Sequence, residues 1–384
     1  MTRRNHRRLR RNALSCAVIG SAALLAVGFG PGPAGADPDI APTEQALADF
    51  IGAAPGAPVG GRTPVAFAGT GSSSGSAGSR ASVPVSAGPE VAGYLAAFGY
   101  GVLHPDASPP GANDWNCRPT QEHPRPVVLA HGTWLNAYDS FAYLAPQLAR
   151  AGFCVFALNY GQANLLEGGG FGAILPGRNG VGYMEDSAVQ LGDFIDRVRA
   201  ATGVDQVDIV AHSQGGAVAD QYLKFEGGVG KVARVVTFGA THHGTTLLGM
   251  ATLGRAINSL GVDILGFNEL FVGHANIEQA IGSPFYAKLN QAGDTVPGVG
   301  YTVVGSQHDE VTNPYELTFL TAGPDATVHN ITLQDGCAQD MSDHLTMMYS
   351  PRAVSIALRA LDSDAHPNLV CTFNPWFIGG GGGL

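Results

Sequence analysis

The sequence predicts an α/β fold with a mainly parallel central sheet and helices on both faces of the sheet. Short, largely apolar and β-rich runs alternate with helical patterns, as in chains whose strands are buried on both faces. We expect strands over 127–130, 153–158, 207–211, 232–238, 301–304 and 328–333. We expect helices over 140–151, 183–201, 215–225 and 350–361. This alternation favours one α/β domain over about 91–377.

The first 36 residues have the layout of a secretory signal peptide. Six arginines lie within the first eleven residues, and a run rich in Ala, Leu and Gly follows over 13–29. Ala34-Gly35-Ala36 then supplies a small-residue cleavage site, so we expect a secreted protein cleaved near Ala36. The Arg10-Arg11 pair leaves twin-arginine export open. The apolar run is short for a membrane-spanning helix, so we expect no transmembrane segment in the mature chain.

Two further segments differ from the predicted domain in composition. Residues 37–90 are dominated by Ala, Gly, Pro and Ser and can bury little apolar surface, which indicates an arm or a propeptide. Residues 378–384 are expected to form a flexible Gly-rich tail. The chain as a whole is 45% hydrophobic, which excludes the class of intrinsically disordered proteins.

Removal of the signal peptide changes both the charge and the cysteine count. It takes away six of 21 basic residues and leaves 15 against 31 acidic residues, a formal net charge of −16. Such a chain is poorly suited to binding nucleic acid or anionic lipid through charge. Four cysteines remain in an oxidising compartment, namely Cys117, Cys154, Cys337 and Cys371. They allow three pairings, of which we favour the pairing of sequence neighbours.

One predicted strand and the helix after it are joined by Ala211-His212-Ser213-Gln214-Gly215. A serine in a sharp strand–turn–helix junction is typical of a nucleophile elbow. Small residues two positions before and after the serine let neighbouring backbones approach, and the helix N-terminus offers N–H groups to an oxyanion. The first small residue is Ala211, where the usual pattern has glycine. A similar string around Ser73 lacks the strand and the helix, so we place the nucleophile at Ser213.

A serine nucleophile also needs two oxyanion donors. The backbone N–H of Gln214, directly after the serine, is one candidate. The N–H of Thr133 is the other, because His131-Gly132 forms a turn directly after the first strand of the predicted domain. An ordinary strand-end turn is the alternative interpretation of His131-Gly132.

The acid and the base are predicted from the chain order of this arrangement, which is serine, then acid, then histidine. Asp309 follows the predicted strand 301–304, at the end of the sheet where α/β proteins place their sites. Its neighbour Glu310 is the alternative acid. His344 follows the next predicted strand and is the candidate base; His366 lies in a Pro-flanked tail, and His329 lies within a strand.

These motifs together resemble the secreted bacterial lipases and esterases of the α/β-hydrolase superfamily, of the class-2 type with an Ala-x-Ser-x-Gly elbow. The resemblance covers about 112–361 and includes the segments 115–117, 126–133, 159–161, 211–215, 239–245, 308–310 and 314–315. It implies an α/β-hydrolase fold with Ser213, Asp309 and His344 as the catalytic triad and Thr133 and Gln214 as the oxyanion hole. It implies no metal and no organic cofactor. Residues before 91 match nothing in that family.

The substrate class depends on weaker patterns. Residues 247–271 are strongly apolar with helical spacing, which indicates either a lid or acyl-chain wall or a core-facing helix pair. The Gly-rich loop 168–182 is a second candidate wall. The adjacent His242-His243 lacks the i, i+4 spacing of a helical metal site, so we interpret it as a structural turn.

The sequence therefore favours a lipase that acts on acylglycerols or other fatty-acid esters, with the ester substrate bound at a lipid–water interface. A polyester depolymerase or a short-chain esterase with an open groove is the alternative within hydrolases. Outside enzymes, the alternative is a secreted binding protein that has kept the fold after losing catalysis.

Overall fold

The computed structural model describes residues 79–167, 169–174, 176–246 and 273–380. The predicted signal peptide, most of the predicted arm and the apolar segment 247–271 therefore lie outside the described residues. None of the described helices combines the length and the hydropathy that a membrane span requires.

Ten strands are present in the described part of the chain. They are β1 (Arg80–Ser82), β2 (Ser86–Ala87), β3 (Ala107–Ser108), β4 (Val127–Ala130), β5 (Val155–Ala157), β6 (Asn159–Gln162), β7 (Val207–His212), β8 (Val232–Phe238), β9 (Gly300–Gly305) and β10 (Thr327–Thr332). Six of them form one sheet in the order β10-β9-β8-β7-β4-β5, and every neighbouring pair is parallel. This confirms the predicted parallel sheet and its six predicted strands.

Helices are present at all four predicted positions, and the described residues contain further helices that were not predicted. The α-helices are Tyr94–Leu103, Ala137–Phe141, Leu144–Arg150, Met184–Thr202, Gln214–Phe225, His274–Glu278, Pro284–Leu289 and Pro351–Leu361. Short 3-10 helices are Leu165–Glu167, Phe171–Ile174, Tyr315–Thr318 and Thr346–Tyr349. The helix predicted over 140–151 is divided in two. The first part begins earlier than predicted, because Asn136 and Asp139 form a capping box at its N-terminus. The second part has Pro146 in its first turn, where the missing N–H of proline costs no hydrogen bond.

The sheet is buried on both faces, as its apolar strands predict. Along β4, Val127 and Leu129 point into one hydrophobic cluster, whereas Val128 and Ala130 point into the other. The first cluster includes residues of the helices Leu144–Arg150 and Pro351–Leu361, and the second includes residues of Met184–Thr202 and Gln214–Phe225. The sheet therefore separates two helical layers.

The central strands bring the two predicted oxyanion segments together. β4 and β7 are neighbours, and Ala130 at the end of β4 pairs with Ala211 near the end of β7. The turn after β4 and the turn after β7 therefore leave the same edge of the sheet side by side. The carboxyl end of a parallel sheet is where α/β proteins place their sites.

The last residues of the predicted arm pack on the domain. β1 pairs antiparallel with β6, and β2 pairs parallel with β3. The Ser79 carbonyl accepts a hydrogen bond from Gln190 at 3.0 Å, and Glu90 forms an ion pair with Arg150 at 2.7 Å. The start of the predicted tail is also bonded, because the Ile378 carbonyl accepts from the Tyr94 N–H at 2.9 Å.

Two disulfides join the cysteines as sequence neighbours, which confirms the favoured pairing. Cys117 bonds to Cys154 and Cys337 bonds to Cys371, with sequence separations of 37 and 34 residues. The first ties the segment before β4 to the segment before β5. The second ties the segment that leads to His344 to the C-terminal part of the chain.

Candidate active site

Ser213 occupies a strained turn between β7 and the helix Gln214–Phe225. Its φ of 55° and ψ of −127° are rarely adopted by a residue with a side chain. A Cβ added at Gly215 would lie 2.3 Å from the Ala130 carbonyl oxygen, and one at Gly132 would lie 2.9 Å from the Ser213 Cβ. A side chain at position 215 would therefore collide with the backbone at the end of β4, and one at position 132 would collide with the Ser213 side chain. Ala211 is fully buried in place of the usual glycine.

The structure brings Ser213, His344 and Asp309 into one chain of hydrogen bonds. His344 Nε2 lies 2.8 Å from Ser213 Oγ, and His344 Nδ1 lies 2.9 Å from Asp309 Oδ2. The side chains of His344 and Asp309 are each 1% exposed. Asp309 is itself oriented by the N–H groups of Val311 and Thr312, which donate to Oδ1 at 2.9 and 2.8 Å.

The charges around His344 favour its protonated form. Burial alone would lower the pKa of the imidazole, but the carboxylates of Asp309, Glu310 and Asp343 outweigh burial and raise the pKa above its usual value. Asp309 contributes the largest of these effects through both charge and hydrogen bonding. An imidazole with a raised pKa is a stronger base for a serine hydroxyl proton.

The alternative residues lie elsewhere. Glu310 Oε2 accepts the backbone N–H of His344 at 3.4 Å rather than contacting the ring, and burial together with Asp343 and Asp309 raises the pKa of Glu310 to about 7. His329 lies exposed on β10. His366 donates its backbone N–H to Asp362 in the segment after the last helix.

The two predicted oxyanion donors lie on the turns that follow β4 and β7. Within the described residues, the N–H groups of Thr133 and Gln214 donate no hydrogen bond. Gln214 is the first residue of its helix, where an N–H has no partner within the helix. Thr133 is held by its side chain, because Gln279 Nε2 donates to Thr133 Oγ1 at 2.7 Å. Both amides are therefore able to donate to an oxygen that carries negative charge.

Two buried histidines beside the predicted site residues were not predicted to have a role. His212 Nε2 lies 2.8 Å from the His344 carbonyl oxygen, and burial together with His344 lowers the pKa of His212 to about 3. His131 stacks on Tyr160 at 4.1 Å, and burial lowers its pKa to about 4. Both rings are therefore neutral, and His212 donates to the backbone of His344. In the sequence, only the positions of His212 and His131 directly before Ser213 and Gly132 indicate that these histidines lie at the site.

His242 and His243 point to different partners. His242 Nδ1 lies 2.6 Å from Asp220 Oδ2, and both side chains are buried. His243 Nε2 lies 3.1 Å from Asp294 Oδ1, and that carboxylate raises the pKa of His243. Among the described residues, no group of three or more His, Cys, Asp or Glu side chains has the arrangement of a metal site.

Comparison with known proteins agrees with this architecture. Residues 125–255, about a third of the chain, match the protein family described as having an alpha/beta hydrolase fold. This stretch includes four neighbouring strands of the sheet and the Ser213 elbow. The chain has an α/β-hydrolase fold.

Lipases are among the solved structures to which the chain is similar. Aspergillus fumigatus lipase B is 20% identical over 62% of this chain and 52% of that one, with a TM-score of 0.49. The chain thus spans about half the length of that lipase. A Bacillus licheniformis lipase in its mature form is 17% identical over 60% of this chain and 89% of that one, with a TM-score of 0.35.

Proposed function

We propose that this α/β-hydrolase chain is a secreted serine carboxylic-ester hydrolase, a lipase that acts on acylglycerols or other fatty-acid esters through an acyl-enzyme on Ser213. The observation that carries the proposal is the chain of hydrogen bonds from Ser213 Oγ through His344 to Asp309, at 2.8 and 2.9 Å. A nucleophile, a base and an orienting carboxylate in this order are the groups that acyl transfer requires.

The first half of the reaction forms the acyl-enzyme. His344 Nε2 takes the proton of Ser213 while Oγ attacks the ester carbonyl, and Asp309 stabilises the imidazolium. The N–H groups of Thr133 and Gln214 donate to the oxyanion, each lowering the barrier by about 3 kcal/mol. The tetrahedral intermediate then collapses, the bond to the leaving alcohol breaks, and His344 gives its proton to that alcohol.

The second half restores the enzyme. His344 takes a proton from water, whose oxygen attacks the acyl carbon, and the same two N–H groups bind the new oxyanion. The ester bond to Ser213 Oγ breaks, the carboxylic acid leaves, and His344 returns a proton to the serine. Every proton transfer in the cycle uses His344, so its raised pKa affects both halves.

The preference for a fatty-acid ester rests on charge and on apolar surface. The predicted mature chain is acidic and has no basic cluster, which suits a neutral ester better than a phosphorylated substrate. Part of the loop 168–182 offers apolar surface, since Ile174 is 57% exposed. The predicted lid or acyl-chain wall over 247–271 lies outside the described residues. Secretion is supported by the two disulfides, which suit an oxidising compartment, and by the predicted signal peptide.

Substrate profiling of wild type and S213A tests the proposal. We expect wild type to hydrolyse both a triolein emulsion and soluble p-nitrophenyl butyrate, and S213A to hydrolyse neither. S73A, which changes the other serine in a similar string, is the matched control and should keep wild-type rates. Full activity in S213A would refute the nucleophile. Hydrolysis of only the soluble ester, or of a polyester film in preference to triolein, would favour the short-chain esterase or the depolymerase.

A further inference from the structure

The turn that carries Thr133 is held by a short strap, defined here as residues 177–181. Trp134, the next residue, has a left-handed φ of 57°, which is unfavourable for a bulky side chain. Its N–H donates to the Asn179 carbonyl oxygen at 2.9 Å, and its own carbonyl oxygen accepts from Arg178 Nη1 at 2.9 Å. Both backbone groups of the strained residue are therefore fixed by the strap.

The strap also contacts the residue that supplies the second proposed oxyanion donor. Gln214 Nε2 donates to the Gly180 carbonyl oxygen at 3.1 Å. A Cβ added at Gly180, whose φ is 65°, would lie 2.7 Å from Gln214 Oε1 and 3.3 Å from the Thr133 Cα. Glycine at position 180 thus allows the strap to pack directly against both residues.

Arg178 is the charged residue of the strap, and its side chain is fully buried. Its Nη2 lies 2.7 Å from Asp139 Oδ2, and both side chains are 0% exposed. Asp139 in turn starts the next helix together with Asn136: the Asn136 N–H donates to Asp139 Oδ1 at 2.7 Å, and the Asp139 N–H donates to Asn136 Oδ1 at 2.8 Å. The guanidinium therefore links the Trp134 carbonyl to the start of the helix that follows the turn.

We infer that Arg178 is a positioning residue for the oxyanion hole, which sets the direction of the Thr133 N–H by holding the Trp134 carbonyl. A buried ion pair adds little net stability, because desolvation of two charges offsets their attraction. A planar guanidinium does supply several donors at fixed angles, which a lysine or an apolar side chain does not. The inference rests on the proposed function, because an oxyanion hole acts only when an ester is attacked at Ser213.

The double variant R178M/D139N tests this role without leaving a buried charge unpaired. Asparagine at position 139 keeps an acceptor for the Asn136 N–H. We expect a folded protein whose kcat for p-nitrophenyl butyrate falls about tenfold to a hundredfold, with KM changed by less than about twofold. A misdirected donor weakens binding of the transition state and leaves binding of the substrate intact.

The matched control is R125M/D208N. It removes the ion pair between Arg125 Nε and Asp208 Oδ1 at 2.9 Å, and with it the longer contact of Asp208 with Arg234 at 3.5 Å. Asp208 is buried like Asp139 but lies at the start of β7, at the opposite end of the strand from Ser213. Its kcat should stay within about twofold of wild type. R178K, which keeps a cation beside Asp139, should fold and still lose at least about fivefold in kcat, because one ammonium does not reproduce both contacts.

Amide hydrogen exchange supplies a readout that needs no ester hydrolysis. In R178M/D139N we expect the Trp134 N–H to exchange at least about tenfold faster than in wild type, and to exchange at the wild-type rate in R125M/D208N. Unchanged exchange together with an unchanged kcat in R178M/D139N and R178K would overturn the role of Arg178. If wild type hydrolyses no ester, the proposed function fails. The anchoring of Trp134 by Arg178 is then judged by exchange alone: faster exchange of the Trp134 N–H in R178M/D139N supports it, and unchanged exchange overturns it.

Discussion

Replacement of Asp309 by asparagine isolates the contribution of one negative charge to the base. Asparagine keeps an oxygen for the N–H groups of Val311 and Thr312, which donate to Asp309 Oδ1 at 2.9 and 2.8 Å, so the loop keeps its geometry. The amide nitrogen then replaces the oxygen that lies 2.9 Å from His344 Nδ1. Because that nitrogen donates, His344 takes the tautomer with its hydrogen on Nε2, and Nε2 can no longer accept the Ser213 proton.

The magnitude follows from burial and from comparison with other triads. The side chains of Asp309 and His344 are each 1% exposed, so water does not replace the lost charge. The equivalent change in a serine protease triad lowers kcat by about 10⁴, or about 5.5 kcal/mol of barrier. We expect a similar fall in D309N, with KM changed by less than about threefold. Steady-state hydrolysis of p-nitrophenyl butyrate by folded protein measures both parameters.

E310Q is the matched control, because Glu310 is the neighbouring carboxyl and its Oε2 accepts the backbone N–H of His344. Glutamine keeps an oxygen for that N–H, so kcat should fall by less than about tenfold. A folded D309N protein with a tenth or more of the wild-type kcat would refute the role of Asp309. So would an E310Q protein as impaired as D309N.

Four further outcomes are expected. The kcat/KM should rise with pH through a pKa above the ordinary histidine value of about 6.5, because only neutral His344 accepts the serine proton. In E310Q this rise should move to lower pH, because the charge of Glu310 helps to raise that pKa. G215A should lower the free energy of unfolding, measured in urea, by about 1–3 kcal/mol, because its Cβ would lie 2.3 Å from a backbone oxygen of β4. C337A/C371A should lower the same free energy by about 4 kcal/mol, since its disulfide spans 34 residues.

Each of these outcomes has a control. A pH profile in E310Q identical to that of wild type would contradict the electrostatic account of His344. G99A adds a methyl group within the helix Tyr94–Leu103. Apart from the adjoining backbone of that helix, no atom of the described residues lies within 4 Å of the new Cβ, so the change should stabilise the protein by about 0.5–1 kcal/mol. Equal effects of G215A and G99A would contradict the packing argument. C117A/C154A removes a disulfide with a separation of 37 residues and should cost a similar amount of stability.

The sequence predicted the features that depend on local residue patterns and on the order of the motifs along the chain. The strand β7, the elbow at Ser213 and the following helix could be predicted because apolar periodicity and small residues mark them directly. Asp309 and His344 could be placed because a parallel sheet brings the ends of successive strands to one edge. The sequence alone does not show which of Asp309 and Glu310 contacts the His344 ring, because the two residues are adjacent in the chain and differ only in the direction of their side chains.

Contacts between distant segments were not predictable. Arg178 lies in a Gly-rich loop, where a charged residue is normally solvated, yet its partner Asp139 is distant in sequence and both are buried. Gln279 contacts Thr133 across an even longer separation. β1 also escaped prediction, because backbone hydrogen bonds to β6 hold it and its side chains carry no apolar pattern.

Active-site labelling tests the central claim most directly. Wild-type protein is treated with an alkyl phosphonate ester, and the adduct is located by mass spectrometry of the intact chain and of its peptides. The account predicts one phosphonyl group per chain, on Ser213, with no adduct in S213A and an undiminished adduct in S73A. A folded wild-type protein that takes up no phosphonate, or that takes it up on another residue, would contradict it.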